Sequence, residues 1–147
     1  MKPFAVAALL TGLSLSPLAA DPISAYQWKN RILLLDFPGT EAEALVGFEK
    51  QIRQSAAGLK DRDLIVFHVG ELGRKGKTYA SPLSEEARAA LRRQLGLGEM
   101  SKTASVILVG KDGGTKSVQR SKLSLATFFT LIDAMPMRRD EVRRAGR

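Results

Sequence analysis

Val106-Ile107-Leu108-Val109-Gly110-Lys111-Asp112-Gly113-Gly114-Thr115-Lys116-Ser117-Val118-Gln119 decides the fold. Its first four residues are the apolar run of a strand covered on both faces. Lys111 to Gly114 is a turn too short to hold a crossover helix, so the chain must return as an antiparallel partner. That partner, Thr115 to Gln119, has the polar alternation of a sheet edge. A doubly wound, flavodoxin-like sheet is the competing arrangement, and it would need a helix where Asp112-Gly113-Gly114 stands.

Upstream lie two more continuous apolar runs, Ile32 to Phe37 and Leu64 to Val69. Between them Leu45, Phe48, Ile52, Ala56 and Leu59 recur at spacings of three and four, which predicts an amphipathic helix and a parallel crossover. Thr40-Glu41-Ala42-Glu43 has capping-box form at its start, and Gly58 is placed to close it. Ser84 predicts the cap of a short helix carrying Ala87, Leu91 and Leu95, stopped by Gly96. Ser124 predicts the cap of a last helix with Leu125, Phe128, Phe129 and Ile132 inward. The expected order is β-α-β-α-β-β-α, a mixed sheet flanked by helices. This α/β pattern is the minimal thioredoxin-like arrangement.

Lys2, the apolar run from Phe4 to Leu15 and the small-residue exit from Pro17 to Ala20 read as a signal peptide over residues 1–20. The expected mature chain, 21–147, is one thioredoxin-like domain with a basic C-terminal tail, placed in the periplasm or secreted. The chain has 23 Lys and Arg against 15 Asp and Glu, and loss of Lys2 with the leader leaves 22 against 15, or +7. Outside the cytoplasm such a charge suits an anionic envelope component or an acidic protein better than nucleic acid. No cysteine is present, which excludes disulfides, thiol nucleophiles and thiolate metal sites. His68 is the single histidine, which excludes multi-histidine zinc sites. No cofactor or metal is indicated.

Several segments also resemble a family of exported bacterial proteins that carry a domain of unknown function. They are Trp28-Lys29-Asn30-Arg31, Asp61-Arg62-Asp63, Leu108-Val109-Gly110-Lys111-Asp112-Gly113-Gly114 and Ile132-Asp133-Ala134-Met135-Pro136-Met137-Arg138. That domain is similar to the end domains of sushi-repeat-containing secreted matrix proteins, which are related to peroxiredoxins. The resemblance implies an extracellular location and a thioredoxin-like fold, and no known activity.

Thiol oxidoreductases of this fold keep their nucleophile where the first strand passes to its helix, because the helix N-terminus stabilises thiolate. Here that place reads Phe37-Pro38-Gly39-Thr40-Glu41. Gly70 to Thr78 nearly spells a phosphate-binding loop but has Glu71 where the pattern needs glycine, and Pro82 blocks the helix that should follow. Its Arg74, Lys75 and Lys77 are candidate contacts for an anion. Further along, Pro136 should interrupt the last helix, leaving Met135 and Met137 beside Arg138, Arg139, Arg143 and Arg144 as a second candidate binding surface. Tyr26 and Trp28 are expected to anchor the N-terminal segment to the core. No catalytic set emerges. The chain therefore reads as an exported, non-redox binding or scaffold module. The alternative is a non-thiol enzyme using Thr40, His68 and the loop from Gly70 to Lys77, which would require a concave site joining them.

Overall fold

The computed structural model describes residues 21–72, 83–98 and 101–146. The expected leader lies outside these residues, as do Arg74, Lys75 and Lys77. Four strands, β1 (Arg31–Asp36), β2 (Leu64–His68), β3 (Ser105–Val109) and β4 (Thr115–Gln119), form one sheet in the order β2-β1-β3-β4. β1 is parallel to β2, with Leu33 opposite Val66, and antiparallel to β3, with Leu33 opposite Leu108. The hairpin to β4 forms as its residues dictate: Gly113 adopts φ +84°, and the Asp112 carboxylate accepts the Gly114 N–H at 3.0 Å. A register shift between Leu108 and Val109 bends the pair there.

The continuous apolar runs are explained by helices on both faces of the sheet. On one side Leu33, Leu35 and Phe37 pack with Phe48 and Ile52 of α1 (Ala42–Gln54), Leu59 of α2 (Ala56–Asp61) and Phe128 and Ile132 of α4 (Leu125–Asp133). On the other, Ile32, Leu34, Phe67 and Ile107 pack with Leu91 of α3 (Glu85–Gln94). Ser84 and Ser124 cap α3 and α4, accepting the N–H groups of Ala87 and Thr127. The expected order is thus present, with a fifth helix, α5 (Pro136–Arg144), at its end. Pro136 does interrupt α4, and it does so by supplying the first turn of α5, where its missing N–H is harmless.

Two local expectations fail. The capping box at Thr40 does not form, because Thr40 lies inside a 3₁₀ turn, Gly39–Glu41, instead of ahead of the helix. The Glu71 carboxylate accepts the Gly39 N–H there at 3.0 Å. Gly58 does not end the first helix either. The chain breaks at Ser55, and Gly58 sits within α2, where a Cβ would lie 2.7 Å from the Phe129 ring. Glycine is needed at that point for close packing rather than for a stop.

Candidate functional site

β1 and β2 both end beside a cleft of about 520 Å³ on the α3 side of the sheet. This is the end of an open α/β sheet at which ligands usually bind. Gly70 lets the chain leave β2 against β1: a Cβ there would stand 2.3 Å from the Phe37 nitrogen. Asp36, the last residue of β1, points to the same side as Ile32 and Leu34 and is 1% exposed. Such a carboxylate needs a counter-charge. Arg92 of α3 supplies it, at 2.5 Å from Nη1 to Oδ1, and the Ser101 hydroxyl donates to the second oxygen.

The other donors of Arg92 are committed as well. Nη1 also reaches the Val69 carbonyl at 3.0 Å, Nη2 donates to Ser101 Oγ and the Gly98 carbonyl, and Nε donates to Gly98. All five N–H groups of the guanidinium are used, so Arg92 holds the cleft together and has none left for a ligand. Arg88, one turn earlier, donates to the Gly70 carbonyl at 3.1 Å and to Glu85, which leaves part of its fork unused. Arg93 is exposed and has no partner among the described residues. Glu71 completes the rim. The cleft thus offers two arginines with donors to spare beside two carboxylates.

Of the residues of the enzyme reading, Gly70 and Glu71 line the cleft, but Thr40 and His68 are not joined to them. Thr40 is exposed and outside the cleft lining, and His68 faces the opposite side of the sheet, toward α1. His68 is buried, and its Nε2 has no hydrogen-bond partner; Glu49 Oε1 lies 3.6 Å away, while Glu49 Oε2 is 4.0 Å from Arg53. Burial pushes the imidazole below its ordinary value, and burial pushes Glu49 up against the opposing pull of Arg53. In the unfolded chain His68 binds its proton near pH 6.5, earlier than in the fold. His68 therefore stabilises the fold in full above about pH 6.5, and that contribution is lost as pH falls. Thermal unfolding from about pH 7 to pH 5 should show this loss in the native chain and a flatter slope in His68→Leu. An equal slope in both would refute it.

At the opposite pole, the amino ends of β1 and β2, the tail proves to be a docked helix. Arg31, 1% exposed, makes a two-pronged contact with Glu141 of α5, both bonds 3.1 Å. Lys111 reaches Glu141 at 2.7 Å and Asp63 at 2.8 Å. Arg62 holds Asp133 at 2.6 Å, and Arg138 holds Asp61. Arg138 is therefore not part of a free basic surface: it is 6% exposed and consumed in docking. Arg139, Arg143 and Arg144 remain exposed, Arg143 with Asp140 at 2.5 Å. Met135 packs against the core while Met137 stays outside. Tyr26 anchors as expected, edge-on to Phe67, but Trp28 does not: it is 64% exposed.

The sequence readings missed Asp36, Arg88 and Arg92. One signal was available, a carboxylate inside an apolar strand that had to find a cation. Solved structures similar to this fold include a reduced 2-Cys peroxiredoxin of Plasmodium vivax (12% identity, 80% of this chain and 84% of that one, TM-score 0.58). A mitochondrial 2-Cys peroxiredoxin of Plasmodium falciparum (10%, 85% and 84%, 0.56) and Plasmodium yoelii Prx1a (16%, 85% and 82%, 0.52) are others. At these identities they show the fold, which is thioredoxin-like of the peroxiredoxin type, and nothing of the chemistry. Among curated proteins no match is found. The family model of a domain of unknown function, DUF4174, matches residues 22–141, and the chain belongs to that family.

Proposed function

We propose that this chain is an exported binding or scaffold module that performs no thiol chemistry and takes an anionic ligand in the cleft at the ends of β1 and β2. One observation carries the reading. Arg92 is saturated by Asp36, Ser101 and backbone carbonyls, so it fixes a rigid wall, while Arg88 and Arg93 on the same helix keep donors for a carboxylate or phosphate. Glu71 and Glu85 on the rim oppose large polyanions and favour a small ligand that also carries a donor. The absence of cysteine supports the non-redox role, and the signal-peptide pattern supports export.

The test has three arms. Intact mass of secreted material should place the first residue near Asp21; a retained Met1 would refute export. The purified protein should show no catalytic reduction of insulin disulfides and no peroxide turnover. Calorimetry against small carboxylates and phosphates should find a ligand whose binding falls about 10–100-fold in Arg93→Ala. An unchanged affinity in that variant would remove the cleft from the reading.

A further inference from the structure

Trp28 stands apart from the other aromatic residues among those described. It is 64% exposed and its backbone adopts φ +65°, a conformation that a bulky side chain avoids. The conformation is imposed by its surroundings. The Trp28 N–H donates to the Lys111 carbonyl at 2.6 Å, the Lys29 and Asn30 N–H groups both donate to the Tyr26 carbonyl, and the Gln27 side chain donates to the Asp112 carbonyl. Strain held this firmly keeps a large apolar ring in water, where packing gains nothing from it.

The charge around it is one-sided. The docking network of α5 is neutral, with Arg31, Arg62, Lys111 and Arg138 against Asp61, Asp63, Asp133 and Glu141. Asp112 at the hairpin tip is matched by Lys116 at 2.6 Å. Outside these pairs Lys29, Lys60, Arg139, Arg143 and Arg144 are exposed on the elements of this pole, against the half-buried Asp140 beside Arg143 and the exposed Asp21 on the segment leading to Trp28. Met137, 40% exposed, adds a flexible apolar side chain on α5. The cavity of about 470 Å³ at this pole is lined by Asp61, Asp63, Arg138 and Glu141, all engaged in the network, beside Lys60 and the small side chains of Ala57, Val142 and Ala145. Its apolar lining is limited to two alanines and a valine among charged groups, a poor socket for the large anchoring side chain of a protein partner.

We propose that this pole docks on an anionic phospholipid surface, with Trp28 entering the interface and the exposed lysines and arginines facing the headgroups. Tryptophan is the side chain that settles at a membrane–water boundary, and dispersed cations suit a planar array of negative charge better than a shaped acidic partner. No helix among the described residues is long and apolar enough to cross a membrane, so contact is at the surface. The proposal goes beyond the cleft and uses none of its residues.

Trp28 is the single tryptophan of the chain, so its emission reports this site alone. Vesicles of phosphatidylcholine with and without phosphatidylglycerol, some with brominated acyl chains, should be titrated into the full chain and into the chain lacking residues 1–20. Both should show a blue shift and bromine quenching only with phosphatidylglycerol, reversed by salt. Arg139→Gln/Arg143→Gln/Arg144→Gln should weaken partition about 100-fold. Trp28→Gly, which suits the positive φ, should melt no lower than the native chain yet sediment less with vesicles. Arg93→Ala should bind vesicles as the native chain does, which separates this surface from the cleft. Emission unmoved by phosphatidylglycerol would overturn the proposal. So would a shift produced by an acidic polypeptide or sulfated polysaccharide and not by vesicles.

Discussion

Arg92→Leu is expected to lower the unfolding free energy by about 3–5 kcal/mol, the range for leaving one member of a buried ion pair alone. Asp36 is 1% exposed and takes both its bonds from Arg92 and Ser101, so the variant strands a carboxylate with only a hydroxyl beside it. The Val69 and Gly98 carbonyls lose donors in the same step. Urea denaturation of three proteins separates these effects. The double variant Asp36→Leu/Arg92→Leu removes the stranded charge and should be more stable than Arg92→Leu by itself, since apolar replacement of a buried pair is often near neutral. If adding Asp36→Leu lowered stability further, the buried carboxylate would not be the source of the loss.

Glu141→Gln is expected to destabilise by about 3 kcal/mol, because it leaves Arg31 and Lys111 without their shared counter-charge in a buried place. The effect should depend on pH. Burial raises the Glu141 carboxyl, but the hydrogen bonds and charges of Arg31 and Lys111 outweigh it and hold the group below its ordinary value. The Arg62 hydrogen bond likewise holds Asp133 down, against burial and with help from Arg138. A carboxylate depressed in the fold binds its proton more readily in the unfolded chain. Its stabilisation is therefore complete above about pH 4–5 and disappears as pH falls through the depressed value. The gap between native chain and Glu141→Gln should be widest near neutrality and close in acid, below the range in which His68 acts. A gap independent of pH would mean that Glu141 matters through shape and not through charge.

The strands, the hairpin and the helix caps at Ser84 and Ser124 were legible because each depends on neighbours in sequence. Apolar runs need only their own residues, and a serine three residues before a free N–H declares its bond. The capping box at Thr40 had the same local form yet failed, since the 3₁₀ turn that displaced it is tied down by Glu71, from another loop. The inward arginines were hidden for a related reason. Arg92 and Asp36 lie 56 residues apart, and nothing around Arg92 distinguishes it from the exposed Arg93. Composition likewise grouped Arg138 with Arg139, Arg143 and Arg144. Only the phase of α5, set by Pro136, turns Arg138 toward Asp61 and leaves the others outside. Trp28 is the opposite case: an aromatic residue beside a strand has the form of an anchor to the core, and the positive φ that turns it outward leaves no mark in the sequence.

The bond between Arg31 and Glu141 spans 110 residues and ties the first residue of the first strand to the last helix. A polypeptide is made from its amino terminus, so β1 emerges long before the carboxylate that neutralises it. Until Glu141 arrives, seating Arg31 at the amino end of β1 would mean desolvating a cation with only the Arg62 carbonyl to meet it. The start of the sheet therefore depends on a helix made more than a hundred residues later. Truncation of α5 ahead of Glu141 would leave Arg31 without its counter-charge at the start of β1, far from the cut in sequence.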